Sequence, residues 1–138
     1  MLKVLLSVDG SMSATHATQK LVETLELYNE QPEVDVLAVH LPVPRYGISD
    51  DTRERYYQEE CEGMLGACKK ILDAAGVKYT VHTCVGEIAE RIIEQATKSR
   101  SNMIYMGTRG RTALSNLVLG SVTTRVLHLT HIPVVLIH

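Results

Sequence analysis

The residues with most chemistry to offer gather in one stretch near the carboxyl end. Gly107-Thr108-Arg109-Gly110-Arg111 follows a short apolar run, and Gly120-Ser121-Val122-Thr123-Thr124, separated from Gly110 by nine residues, opens a stretch of helical spacing. Glycines at 107 and 110 let backbone approach a ligand closely. Gly120, Ser121, Val122 and Thr123 put amides and hydroxyls at a helix start, where orphan N–H groups and the helix dipole favour an anion. Arg109 and Arg111 add positive charge to the same loop. The plain alternative is a strand-to-helix connection with ordinary turn glycines and solvated arginines. Two well-known phosphate motifs are absent. No lysine follows these glycines as GxxxxGK[ST] requires, and two residues separate Gly107 from Gly110, so GxGxxG fails as well.

A catalytic set does not assemble. There is no GxSxG elbow and no carboxylate pair of recognisable spacing. His128 and His131 are three apart on a helical stretch, yet two imidazoles without a third ligand make a weak metal site, and histidine is favourable near a helix C-terminus in any case. His16, His40, His82 and His138 show no ligand spacing, and His40 reads as the end of a strand. No structural metal is expected. Cys61, Cys68 and Cys84 are odd in number and lack CxxC spacing, so packed, reduced thiols are expected, in keeping with a cytoplasmic setting.

The elements that must position the glycine segment are marked by an alternation of short β-rich runs with stretches of helical period. Val4 to Val8 is a strand, closed by Asp9-Gly10-Ser11, whose serine can cap the next helix. Ala14, Ala17, Leu21, Leu25 and Tyr28 give that helix one apolar face. Val34 to His40 forms a second strand, stopped by Pro42 and Pro44. A long helix begins near Asp50 and Asp51, carries Tyr57, Cys61, Met64, Leu65, Cys68, Ile71 and Ala75, and ends on Gly76. Gly63 and Gly66 lie inside it at a cost of about 1 kcal/mol each, which suggests close backbone approach. Val77 to Val85 alternates as a half-exposed edge strand does. Ala89, Ile92, Ile93 and Ala96 mark a third helix, and Met103 to Met106 is apolar throughout, as when helices cover both faces. A fourth helix runs from about Gly120 to Leu129, and Pro133 to Ile137 forms a last strand. The pattern predicts an α/β fold with a mostly parallel sheet and right-handed crossovers. Such a sheet binds ligands beyond the carboxyl ends of its strands, where the glycine segment falls. The connection from Pro42 to Asp51 is the one place for a lid.

At 138 residues the chain is long enough for one domain with a core of its own. Fourteen basic against sixteen acidic residues give a net charge of −2, without the basic footprint of a nucleic-acid binder. Six tyrosines are the only aromatic residues other than histidine, so base-stacking platforms are thinly supplied. No run approaches the roughly 18 apolar residues of a membrane span, and Met1-Leu2-Lys3 enters the first strand without a signal-peptide layout.

The spacing Gly107-x2-Gly110-x9-Gly120-Ser121 resembles the ATP-binding branch of the universal stress protein family. Further landmarks agree along the whole chain: Val8-Asp9-Gly10-Ser11 after the first strand, Val39-His40 ending the second, Gly86 before the third helix and Pro133-Val134 at the last strand. The resemblance implies a single Rossmann-like domain over residues 1–138, of the adenine nucleotide alpha hydrolase-like type. It implies five parallel strands in the order 3-2-1-4-5 with helices on both faces, so that Asp9 and Gly107 flank one crevice. It places ATP there, with Mg or Mn accompanying it in some members, although no acidic ligand lies near Gly107 to Thr123. Asp9 would contact adenine, with Ser7, Val8 and Val39 lining its pocket. Met106, Gly107 and Arg109 would lie near base, ribose and phosphates, and Gly110, Gly120, Ser121, Val122 and Thr123 would hold the phosphates. Asp9 also suits a capping role on the first helix. Two departures from the family pattern are Asn102, where aspartate is usual, and Ser7, where some ATP-binding members carry proline. The resemblance further implies a cytoplasmic protein of the stress response, homodimeric through the final strand, with slow hydrolysis at most. The competing reading is a stress-induced dimeric module that binds no nucleotide and acts through protein partners.

Overall fold

The computed structural model describes residues 1–109 and 119–138, and the order of elements is the predicted one. Strand β1 (Lys3–Val8) leads to α1 (Met12–Leu25), β2 (Glu33–His40), α2 (Asp50–Ala74), β3 (Tyr79–Val85), α3 (Ile88–Lys98), β4 (Met103–Gly107), α4 (Ser121–Leu129) and β5 (Val134–Ile137). Gly110 and residues 111–118 lie outside the described residues, and with them one glycine of the expected phosphate motif and Arg111.

All pairings are parallel and the strand order is β3-β2-β1-β4-β5. Alternation along the strands divides the core in two. Val4, Leu6 and Val8 of β1 join Val34, Val36 and Ala38 of β2 beneath α1 and α2, while Leu5, Leu37, Val39, Ile104 and Met106 lie beneath α3 and α4. The central strands β1, β2 and β4 are therefore apolar on both faces, which is why they read as continuous hydrophobic runs.

Local chemistry sets the element ends. Ser11 Oγ accepts from Ala14 N–H at 3.1 Å at the start of α1, and Ser49 Oγ accepts from Thr52 N–H at 3.2 Å at the start of α2. Helix α2 closes in a Schellman motif. Gly76, at φ +69°, donates to Asp73 O, and Val77 N–H donates to Leu72 O at 3.0 Å. That motif occupies Val77, so β3 starts at Tyr79 rather than at Val77.

Two helix faces differ from expectation. Helix α2 buries Cys61, Met64, Leu65, Cys68 and Leu72, leaving Ile71 half-buried and Ala75 exposed, because the stripe on so long a helix drifts to the position four after Cys68. Helix α1 ends at Leu25, so Tyr28 lies beyond it in a turn, its hydroxyl 3.9 Å from Met103 Sδ. Burial is the leading cause that raises the pKa of all three cysteine thiols, keeping them protonated, and all three are free.

Gly63 and Gly66 do not serve close approach. A Cβ added at either would meet nothing within 4 Å, whereas one at Gly10, at φ +83°, would come within 3.2 Å of Met64 Cα. The tight contact belongs to the β1–α1 turn. Gly63→Ala and Gly66→Ala are each expected to raise stability by about 0.5–1 kcal/mol. Urea unfolding would read this as a higher midpoint at constant slope.

Candidate functional site

The strands' carboxyl ends share one side of the sheet, and there β1 and β4 part. Their register runs Val4↔Met103, Leu5↔Ile104 and Leu6↔Tyr105 and goes no further, although β1 continues to Val8 and β4 to Gly107. From β1 the chain turns to α1 on one face, and from β4 it leads on to α4 on the other. A crevice at such a switch point is where open α/β sheets take ligands.

Asp9 follows β1 at this mouth. Its Oδ1 accepts from Ser11 N–H at 2.9 Å, so the carboxylate shapes the turn into α1, while the cap itself is Ser11 and not Asp9. On the α3–α4 side, Val39 and Met106 belong to one apolar cluster, and Ser7 shares their face by alternation from Leu5. Val8 does not join them. Its side chain is buried with Val4 and Leu6 on the opposite face, and since Leu2 O bonds to β2 and Lys3 O to β4, alternation turns the Val8 backbone groups toward β2 and away from the crevice.

Gly107 is the tightest point. A Cβ there would lie 2.1 Å from Ser13 Oγ and 2.9 Å from the Ser13 carbonyl carbon, so glycine is what lets β4 pass the first turn of α1. Arg109 N–H reaches Ser13 Oγ at 3.4 Å in the same contact. Two bonds seat α4 on the exit of β4. Gly120 N–H donates to Thr108 O at 2.7 Å, and Thr123 Oγ1 donates to Gly107 O at 3.1 Å. Thr123 is buried and its hydroxyl is committed, so it can offer a ligand its amide but not its side chain. Arg125 of α4 pairs with Glu90 of α3. The Glu90 carboxyl is held below the ordinary range, first by its own backbone N–H and then by Arg125.

Where Ser11 and Ser49 close the starts of α1 and α2, Gly120 offers α4 no side-chain cap. The first intrahelical bond of α4 is Thr124 N–H to Gly120 O. The amides of Ser121, Val122 and Thr123 are therefore the orphan donors of this helix. Ser121 is exposed and Val122 half-buried, so the helix start meets solvent at its first two residues while Thr123 lies beneath them. Thr108, which sequence reasoning passed over, is buried there with Oγ1 unpartnered among the described residues. Its place directly between Gly107 and Arg109 was the available signal. Among the described residues no three of His, Cys, Asp or Glu converge as metal ligands would, and no helix is long and apolar enough to cross a membrane.

Asn102 lies at the other end of the sheet. Its Oδ1 accepts from Lys3 N–H at 2.8 Å while its own N–H donates to Lys3 O, tying β4 to β1 far from the crevice.

Fold and site together define a doubly wound α/β domain with a switch point between β1 and β4. The family model of the universal stress proteins matches residues 1–138, and the chain belongs to that family. Universal stress protein MJ0531 of Methanocaldococcus jannaschii is 30% identical over 98% of this chain and 81% of its own length. Among solved structures, the hypothetical protein MJ0577 of the same organism superposes with a TM-score of 0.84 at 27% identity, covering 99% of this chain and 94% of that one. A universal stress protein from Archaeoglobus fulgidus in complex with dAMP shares the fold, with a TM-score of 0.70 at 20% identity over 100% of this chain and 98% of that one.

Proposed function

We propose that this domain binds ATP in the β1–β4 crevice and acts in the stress response as a nucleotide-dependent switch or sensor, with slow hydrolysis at most. The observation that carries the reading is the uncapped start of α4, whose Ser121, Val122 and Thr123 amides have no partner among the described residues and stand beside the β4 exit. The residues fit the nucleotide at both ends. The α4 amides and the Arg109 backbone segment suit phosphate, while Val39 and Met106 offer an apolar wall to the base with Asp9 at the mouth as its polar contact. Ser7 in place of proline keeps the half-buried position polar on that same wall. Gly110 completes the motif by spacing alone. A relative in complex with dAMP supports the choice of an adenine nucleotide. The carboxylate of Asp9 is the single acidic group among these residues, so Mg or Mn would enter on the phosphates rather than in a protein cage. Fast hydrolysis would need a positioned water, and none of the described residues named here is a general base placed for one.

Mass spectrometry of small molecules released by acid from the purified protein tests the class of ligand. Carried-over ATP or ADP supports the reading, and protein that neither carries an adenine nucleotide nor binds added ATP refutes it in favour of the nucleotide-free interaction module. The base end has its own expected result. Asp9→Ala should weaken ATP by about tenfold, the worth of one hydrogen bond to a charged group, and inorganic triphosphate much less. Equal losses would assign Asp9 to the turn alone.

We further propose a cytoplasmic homodimer through β5. This strand is an edge with no charged residue, and its four side chains are all half-buried. Ile104 N–H bonds to Pro133 O and Thr108 N–H to Ile137 O, so odd residues face β4 while Val134 and Leu136 turn their amides outward. Val135 packs toward the α1 cluster, and a charge there would strike the core before any interface. Val134→Pro removes an outward donor and spares the β4 ladder. Light scattering should show the parent dimeric and this variant monomeric; a monomeric parent would refute the dimer, and a folded variant that stays dimeric would move the interface elsewhere.

A further inference from the structure

The opposite edge of the sheet is built differently. Strand β3 runs seven residues in unbroken register with β2, from Val34↔Tyr79 to His40↔Val85. Sheets ordinarily protect an edge with lysine, proline or a bulge. Tyr79 to Val85 has none of the three.

Its hydrogen-bonding groups can be assigned. Gly86 N–H donates to His40 O at 3.0 Å, and groups alternate along a strand, so His82 and Cys84 pair with β2. Val81, Thr83 and Val85 therefore present N–H and C=O outward, with no described strand beyond them. The two flanks differ in chemistry. Val81 and Val85, on the face that carries Tyr79, remain 36% and 37% exposed. On the α3 side, a groove of about 460 Å³ is lined by His82, Cys84, Arg91, Glu94 and Lys98 along with the strand edge. His82 is engaged by Asp35 at 2.9 Å and Arg91 pairs with Glu94, which leaves Lys98 as the excess positive charge of the groove.

We propose that β3 is a docking edge for an extended polypeptide segment in which apolar and acidic residues alternate. Such a segment adds a sixth strand by pairing with the outward groups of Val81, Thr83 and Val85. Because successive side chains of a strand point to opposite faces, its apolar residues lie against Val81 and Val85. Its carboxylates fall on the α3 side, toward Lys98 and Arg91. One strand thus satisfies backbone, apolar flank and charge together. The site lies at the other edge from β5 and does not depend on the nucleotide reading.

The probe is a blocked peptide of about eight residues, the length of an ordinary strand, alternating valine and glutamate, with a valine–lysine peptide as control. Amide exchange of the intact protein should show Val81, Thr83 and Val85 gaining protection when the acidic peptide is added, with His82 and Cys84 unchanged. The basic peptide should bind about fivefold more weakly or worse, the scale of partly exposed charge pairs. Thr83→Pro removes one outward N–H and no bond to β2, so it should keep the parent's circular dichroism and lose the peptide. Lys98→Glu, on the exposed flank of α3, should erase or invert the preference for the acidic peptide, and it tests the proposal even if Thr83→Pro fails to fold. The proposal is overturned if the acidic peptide does not bind at millimolar concentration or if both peptides bind alike. It also fails if protection appears at Val134 and Leu136 instead, if folded Thr83→Pro binds as the parent does, or if Thr83→Pro turns a dimeric parent into a monomer, since a second copy would then occupy the edge.

Discussion

Gly107→Ala is expected to lower the melting temperature by about 8–12 °C. The added methyl would sit 2.1 Å from Ser13 Oγ and 2.9 Å from both Ser13 Cβ and the Ser13 carbonyl carbon. The hydroxyl can rotate away, but the carbonyl carbon belongs to the backbone of α1 and moves only with the helix. Overpacking of this kind costs about 1–3 kcal/mol, and the upper end applies where backbone must yield. At this chain length about 1 kcal/mol corresponds to roughly 3–4 °C. Thermal unfolding of Gly107→Ala, Ser13→Gly and the double variant separates the two contributions. Ser13→Gly removes the hydroxyl and Cβ contacts but not the carbonyl carbon, so the double variant should recover part of the loss and not all of it. A Gly107→Ala protein that melts with the parent would mean that α1 shifts freely, and β4 would then not be gauged against the first turn of that helix.

Gly120→Val is expected to weaken ATP by about 30-fold or more while the fold persists, a loss equivalent to one or two hydrogen bonds to a charged group. Gly120 has φ −62° and ψ 158°, an extended conformation open to any residue, so valine is not strained there. Its N–H still reaches Thr108 O, and its poor capping chemistry should cost about 1 kcal/mol at most. The branched side chain instead crowds the space in front of the Ser121 to Thr123 amides, which phosphate must enter to reach them. Titration calorimetry with ATP, paired with a melting curve, reads both quantities. Undiminished affinity in a folded variant would place the phosphates away from α4.

Much of the architecture is legible in the residues because it depends on neighbours. Period two or period 3.6 marks each element, Ser11 and Ser49 cap the helices that begin beside them, and Gly76 supplies the left-handed residue of its own Schellman motif. The open start of α4 was equally readable, since it is a property of Gly120 and the three residues after it; that an anion fills it is what we propose. The strand order came from likeness to a family and not from periodicity, which carries no information on which strands are neighbours.

Other features were decided only when distant segments met. That α2 turns Leu72 and not Ile71 or Ala75 inward reflects where β1 and β2 lie beneath it. That Val8 faces away from the crevice while Ser7 faces it depends on which helices cover each side of the sheet. The hydroxyl of Thr123 looked free in sequence and is spent on Gly107 O, sixteen residues back. The glycines show the distinction most directly. Gly63 and Gly66 seemed to require close approach and have open space around them, while Gly107 is required by Ser13, from the other end of the chain. A residue's conformational preference is local and so is written in the sequence, whereas the room around it is a distance between elements and exists only once the sheet has formed.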